Sequence, residues 1–529
     1  MRCLGSRPAS LKSVRPQKRI AVQPHASVPR SKKAYALRDA WRALGNPPTP
    51  GFPPTPGAAI VRQSAVSEFS LHFLNAKPPN YTILPRGVIL AYAVPRIAFG
   101  IMGTLFVVYF MKFATDVLLI APAIIGTILA VGRLWDGITD PIIGYLSDRT
   151  RSPIGRRRLW LFCAAVPMAL SLIGIWSPPE FLSGITLIIW MTICLLLYET
   201  AQTAFFVPHG ALSIELSQDY HERTRLYGLS HMIGIFGVAA GLLSLHLMQQ
   251  AEDKRLFAFQ LSMFAAAAIA LLVIWTTYLL PERAAHQGRA FKNPFQTFLD
   301  ILRNPHARLL LIVYGIETFG GATLGILAAY AAEYVVKMDS LVIILVVYQI
   351  PQFLFAPLWI RFSKRTGKRN LWIIGTLISA VSYGSLFFAG AGNDLYVYTC
   401  CFFAGVGAGA GAVLPPSIQA DIVDYDEFMT GERKEGAYLA VWNLVRKIAS
   451  SITAFVIGLA LQFSGFEPNV EQSEATQDTI RWLLALMPCA CYIVGALLLM
   501  RFSFNEDEHR AVREVLDARQ SPSALNEKM

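Results

Sequence analysis

Residues 133–150 read RLWDGITDPIIGYLSDRT, and they put Arg133, Asp136 and Asp140 inside a run, 119–147, that is otherwise apolar enough to cross a bilayer. At helical spacing the three residues fall at i, i+3 and i+7, so they line one face for about two turns. A charged side chain at the bilayer centre costs roughly 2.5–3.5 kcal/mol on insertion scales, so this stripe must face other helices or a watery cavity. One reading is a structural ion pair in which Arg133 neutralises an aspartate, which leaves the second carboxylate without a partner. The other is a site for a small hard cation, whose lost hydration and charge two carboxylates one turn apart can replace. The same pair can hold one proton between them, because adjacent carboxylates resist ionising together.

The rest of the chain supplies the bilayer. Of 529 residues 54% are hydrophobic and only 16% charged, with a positive mean hydropathy, which is the composition of a polytopic membrane protein. The formal charge of +12 suggests a nucleic-acid partner until it is located. Nearly all of the excess lies in residues 1–80, where Asp39 and Glu68 are the only acids, so no nucleic-acid partner is expected. That stretch is Pro-rich and aperiodic (NPPTPGFPPTPG, 46–57), and it reads as a disordered tail, a transit-like leader or a stretch added by an upstream start site. The seven cysteines (Cys3, Cys163, Cys194, Cys400, Cys401, Cys489, Cys491) show neither a disulfide framework nor metal-ligand spacing, and they read as packing residues.

Twelve apolar spans fit the chain: 87–111, 119–147, 159–177, 183–213, 227–249, 257–280, 308–332, 340–361, 371–391, 395–420, 437–463 and 480–502. The connections after the second, sixth and eighth are rich in Arg and Lys, while SPPEFLSG (177–184) and AGAGND (389–394) are not. By the positive-inside rule the basic connections and both termini are cytoplasmic, in a plasma membrane or bacterial inner membrane. A repeat supports the count: PIIGYLSDRTRSPIGRRRLW (141–160) and PLWIRFSKRTGKRNLW (357–372) share Pro, Ser, Arg-Thr and a closing Gly, two bases and Leu-Trp. The expected organisation is a tail at 1–80, six-helix bundles at 85–280 and 308–503 joined by a linker at 281–307, and a cytoplasmic tail at 504–529. The fold class is an all-α membrane protein of two six-helix repeats, a transporter signature with sites between the halves near the midplane. In the second repeat Gln352 and Ala356 stand at the offsets of the two aspartates, so the cation site is one-sided.

Three ordered motifs, GRLWDGITDPIIGYLSDRTRSPIGRRRLW (132–160), VPHGALSIELSQDYHERTRLYG (207–228) and DIVDYDEFMTGERKEGAYLAVWNLVRK (421–447), make the chain resemble the glycoside-pentoside-hexuronide:cation symporter family, the melibiose-carrier-like branch of the major facilitator superfamily, over roughly residues 85–505. The resemblance implies alternating-access import of a sugar or glycoside with Na+ or H+, no cofactor, no enzymatic activity, and a carrier that functions as a monomer in the lipid bilayer. It places the cation at Asp136 and Asp140, with oxygens from Thr139 and Thr203. Position 139 is asparagine in the melibiose carrier, so the threonine leaves proton coupling open beside sodium. That carrier's sugar-binding acids and arginine correspond here to Gly100, Phe206 and His231, so its galactoside constellation is missing. Its lysine in the eleventh helix is retained as Lys447, next to Arg446.

What remains is cationic. Arg96 lies ten residues into the first helix, about 15 Å along the axis from Arg86 and close to midplane. Its planar fork suits carboxylate or phosphate, and with His231 and Lys447 it makes a cavity suited to an acidic substrate such as a hexuronide. The competing reading pairs Arg96 with Glu199 or an aspartate of the second helix. Glu199, at i−4 from Thr203, is a candidate proton carrier, and Arg133, Asp148, Arg149 and Arg446 are candidates for coupling or gating. Trp442 and Trp135 offer faces for a sugar ring, although membrane tryptophans more often pack or anchor. Glu317 is a further membrane acid without an evident partner. The alternating glycines of GVGAGAGAV (405–413) lack the strand a dinucleotide loop requires, and they read as helix-contact residues. HRAVREVLDAR (509–519) reads as a solvated helix or disorder. A lysolipid symporter is the alternative substrate reading, and a non-transporting membrane sensor is the alternative of another class.

Overall fold

The computed structural model describes residues 84–216, 220–282, 301–338, 340–431, 435–504 and 506–520. The expected tail at 1–80 and most of the expected linker at 281–307 lie outside the described residues. The described residues form helices and their connections, with no strand among them. In chain order the helices are α1, in three pieces (Arg86–Ala93, Pro95–Val108, Phe110–Asp116), α2 (Pro122–Arg149), α3 (Arg156–Trp176), α4 (Gly184–Leu216), α5 (Tyr220–Gln250) and α6 (Lys254–Leu279). The second set comprises α7 (Pro305–Tyr330, continued by a π turn, Ala331–Val336), α8 (Leu341–Leu354 and Ala356–Thr366), α9 (Lys368–Ser385), α10 (Asp394–Thr430), α11 (Glu435–Phe463) and α12 (Glu474–Arg481, a π turn Trp482–Leu486, Met487–Leu499). A short α13 (Glu506–Gln520) follows. Eleven of these are long and apolar enough to cross a membrane. The twelfth, α2, is 28 residues long and falls outside that set because of its own charges.

Sequence explains where the helices bend. Pro95 opens the middle piece of α1, since a proline supplies no N–H to the preceding turn. α8 breaks at Phe355, at the register where its counterpart α2 runs on through Pro141.

Apolar side chains gain little by leaving lipid for protein, so close backbone approach holds these helices together. The glycine run of α10 does this: a Cβ on Gly405 would lie 2.1 Å from the Tyr348 carbonyl on α8, and one on Gly407 2.2 Å from Ser379 Oγ on α9.

The two repeats are tied by a charged cluster at the end of the bundle away from the basic connections. There Lys112, only 1% exposed, ion-pairs with Asp116 one turn on and with Glu333 of the α7 π turn at 3.0 Å. Its ammonium lies 4.2 Å from the Tyr334 ring centre, and the Tyr334 hydroxyl donates to Asp116 Oδ2 at 2.7 Å. Asn469, between α11 and α12, donates through Nδ2 to the Asp116 carbonyl at 2.8 Å. At the basic end, Arg157 donates to Asp148 within the first repeat, and Lys368 pairs with Asp421 within the second.

The C-terminal helix corrects an expectation. It is helical over 506–520, but it is docked rather than solvated: Val512 and Leu516, at i, i+4, are buried in the second repeat's core, and His509 and Arg513 reach Asp424 of α10 at 3.1 and 3.6 Å.

Candidate functional site: a charged cluster between the repeats

Asp136 and Asp140 sit one turn apart on α2, immediately before Pro141, which removes the N–H that would close the turn on Gly137. α4 lies against this face and brings Thr203, whose hydroxyl donates to Asp136 Oδ1 at 2.7 Å. Thr139 Oγ1 lies 3.5 Å from Thr203 Oγ1 and bonds back to the Asp136 carbonyl at 3.2 Å. The four residues chosen from sequence therefore stand together. Asp136, Thr139 and Thr203 are buried, while Asp140 keeps about a third of its side chain open.

The second repeat contributes the remaining charge. Lys447 of α11 places its ammonium 2.7 Å from Asp136 Oδ2 and hydrogen-bonds Asp140 Oδ2 as well, so one cation bridges both carboxylates. This corrects the expectation of Lys447 as a free cavity cation beside Arg96 and His231: its ammonium is held between the two carboxylates. Arg133 takes neither aspartate and instead lies 3.4 Å from Glu199 on α4. Pairing of Arg96 with Glu199 or an α2 aspartate is likewise not what the structure holds, since those acids face Arg133 and Lys447.

Arg96 stands apart, on α1 against α5, where a Cβ on Gly234 would come 3.8 Å from its own Cβ. Tyr92, one turn earlier on α1, stacks on His209 of α4 with ring centres 4.1 Å apart. Three acids (Asp136, Asp140, Glu199) and three bases (Lys447, Arg133, Arg96) thus lie on α1, α2, α4 and α11.

Other candidates are placed elsewhere. Gly100 is a contact residue rather than a lining one, since a Cβ there would lie 2.8 Å from the Gly237 backbone of α5. Trp442 is 6% exposed and packs on Tyr314, so it offers no free face, whereas Trp135 is exposed and donates to Thr200 at 2.8 Å. Phe206 is 40% exposed and leans on Phe99. His231 meets Phe353 edge-on across the α5–α8 contact. Arg149 lies over the Tyr145 ring, and Arg446 is exposed on α11. Glu317 is held by Trp372 and Thr376 of α9, away from the α2 cluster. The Lys112 cluster is what sequence reasoning missed, although Lys112 and Asp116 at i, i+4 in an apolar run were its signal.

Twelve spanning helices in two repeats with a charged cluster between them define a secondary transporter of the major facilitator fold. Residues 91–506 match the family described as "MFS/sugar transport protein", and the chain belongs to that family. Among curated relatives, an uncharacterized symporter of Synechocystis sp. is 26% identical, covering 82% of this chain and 96% of its own length. The sodium-dependent lysophosphatidylcholine symporter 1-A of Danio rerio is 25% identical (79% and 86%), and a putative sulfoquinovose importer of Escherichia coli is 24% identical (83% and 95%). Of solved structures, the nucleoside transporter NupG superposes with a TM-score of 0.61 at 13% identity, covering 79% of this chain and 99% of that one.

Proposed function

We propose that the protein imports a sugar or glycoside together with Na+ or H+, by alternating access, with the basic connections and both termini on the cytoplasmic side of the plasma membrane. The observation that carries this reading is the bridging of Asp136 and Asp140 by Lys447 beside the hydroxyls of Thr203 and Thr139. A coupling cation that takes the place of that ammonium finds two carboxylates and two hydroxyl oxygens, a hard-oxygen set suited to sodium. Because Lys447 belongs to the second repeat and the acids to the first, loading the cation breaks a tie between the halves. Cation binding and rocking of the repeats then become one coupled equilibrium. The Lys112 cluster closes the outer end in this conformation. Kinship with a putative sulfoquinovose importer supports a sugar as cargo. A lysolipid is the second reading, favoured by the exposed Phe206 ring one turn from Thr203 and by kinship with a lysophosphatidylcholine symporter.

The test is the melting temperature of the purified protein against sodium, with potassium as control, for the native chain and Asp140→Asn. A ligand that binds only the folded form raises it, by about 2.7 kcal/mol of stability at a hundred times Kd. Sodium is expected to stabilise the native chain and not the variant. A native chain indifferent to sodium sinks the sodium reading and leaves proton uptake through Asp136, Asp140 or Glu199 as the coupling step. Absence of any gradient-driven uptake into vesicles would favour the sensor.

A further inference from the structure

We infer that Glu317 is a reversible proton-binding site inside the second repeat, separate from the cation cluster on α2. Its carboxyl lies where α7 meets α9 and α12. Trp372 Nε1 donates to Oε2 at 3.1 Å and Thr376 Oγ1 donates to Oε1 at 2.8 Å, and both donors are buried. On the α12 side Gly495 leaves the space the carboxyl fills, since a Cβ there would lie 3.1 Å from Glu317 Cγ and Oε1. The acid thus has a fitted place with one hydrogen bond on each oxygen, but no charge answers it. Among the described residues no cation is paired with Glu317. α9 offers it an indole and a hydroxyl, α12 meets this stretch of α7 through Cys491 and Tyr492, and α11 meets it through Val445 and Thr453. Arg446, next to Val445, is exposed, and Lys447 is held by the α2 acids.

A carboxylate without a counter-charge is costly inside a membrane protein, and the proton is the one cation small enough to relieve it where the carboxyl already fills the space. The two neighbours on α9 serve both forms. Ionised, Glu317 accepts from Trp372 and Thr376. Protonated, it needs an acceptor for its own O–H, and a threonine hydroxyl supplies one by turning its hydrogen to the carbonyl one turn back. Thr453 makes that bond in this protein, to the Ala449 carbonyl at 2.9 Å. A proton can therefore come and go without a change of partners. The duplicated loop shows that the fold itself does not call for the acid. Trp160 and Trp372 close its two copies, and Trp160 donates to the neutral Thr150 hydroxyl at 2.9 Å where Trp372 donates to Glu317. α7 also carries Glu333 and Tyr334 of the Lys112 cluster, so a change in how α7 seats on α9 and α12 reaches the tie between the repeats.

The experiment records infrared difference spectra of the full chain in detergent across pH, for the native protein, Glu317→Gln and Thr376→Val, alongside melting temperatures in sodium and potassium. Glutamine copies the protonated acid, with its oxygen accepting from Trp372 and its amide donating to Thr376. The native chain is expected to show a carboxylic-acid C=O band that gives way to carboxylate as pH rises. Glu317→Gln should lack that band while keeping a cooperative melting transition and the native response to sodium, which shows the variant folded and the two sites separate. Thr376→Val keeps the carboxyl and removes the hydroxyl, so the band persists with its midpoint moved by about one to two pH units, the size of a hydrogen bond to a charged group. That variant carries the test if Glu317→Gln does not fold. Identical spectra for the native chain and Glu317→Gln at every pH, a native midpoint kept in Thr376→Val, or a band that persists to the highest pH the fold survives overturns the inference. A Glu317→Gln chain that has lost the sodium response joins Glu317 to the α2 cluster and overturns the separate site. A native chain that ignores sodium yet shows the Glu317 band keeps this inference and sinks only the sodium reading proposed above.

Discussion

Lys447 is the residue whose removal separates binding from turnover. Truncating one partner of a buried charge pair costs about 3–5 kcal/mol, because the other charge is left uncompensated. Here the stranded groups are two carboxylates, Asp136 and Asp140. Lys447→Met should therefore lower the melting temperature in potassium, yet show a larger sodium-induced rise than the native chain, since no ammonium competes for the carboxylates. Its transport rate should fall, because an unloaded carrier with two bare acids reorients poorly. An equal or smaller sodium response would contradict Lys447 as the competing cation. Thr203→Val removes a donor to Asp136 at 2.7 Å, and the expected result is weaker sodium stabilisation with little change in potassium.

At the scale of single helices, the glycines of α10 give a contrast within one element. Gly407→Ala would set a Cβ 2.2 Å from Ser379 Oγ and 2.7 Å from the Gly375 carbonyl, whereas Gly411 has open space around it. The first should cost about 1–3 kcal/mol through forced separation of α9 and α10. The second should leave stability unchanged or raise it by about 0.5–1 kcal/mol, the helical preference for alanine over glycine. Melting temperatures of the pair settle it. The same contrast explains what the sequence made legible. Asp136, Asp140 and Thr139 share one helix face by periodicity, and the glycine run and the duplicated Arg-Thr loop are local patterns, so all were readable. Lys447 pairs with residues some three hundred positions away, Gly100 is explained only by Gly237, and Trp442 only by Tyr314. Such pairings are set by which helices pack together, and spacing along one chain segment does not contain them. Docking of α13 was written in its Val512 and Leu516, whose i, i+4 spacing marks an apolar stripe on an otherwise charged helix.

For the molecule as a whole, the Lys112 cluster ties the two repeats through a few side chains at the end away from the basic connections, the outer end in the orientation proposed above. Asp116→Asn removes the partner Lys112 shares least with water and weakens the acceptor of the Tyr334 hydroxyl. The expected outcome is a shift toward outward-open molecules. Its readout is Ser451→Cys, with the native cysteines replaced: Ser451 is buried on α11 and donates to the Ala130 carbonyl of α2, so it becomes reachable only when those helices part. An impermeant thiol reagent added outside should label it faster in the Asp116→Asn background, and an unchanged rate would remove the cluster from the gate. At the rim, Lys337 donates to Glu471 at 2.6 Å and holds that carboxyl below its usual range. That contribution is present at neutral pH and is lost only as pH falls through the lowered value. The central cluster has a different consequence. With Asp136, Asp140 and Glu199 set against Lys447, Arg133 and Arg96, the unloaded site sums to zero, so on the reading proposed above one sodium entering with an uncharged sugar would add a single positive charge. Membrane voltage, worth about 2.3 kcal/mol per elementary charge at 100 mV, would then help to carry the loaded form inward. A carrier of that kind would run faster in a polarised cell than in a depolarised one.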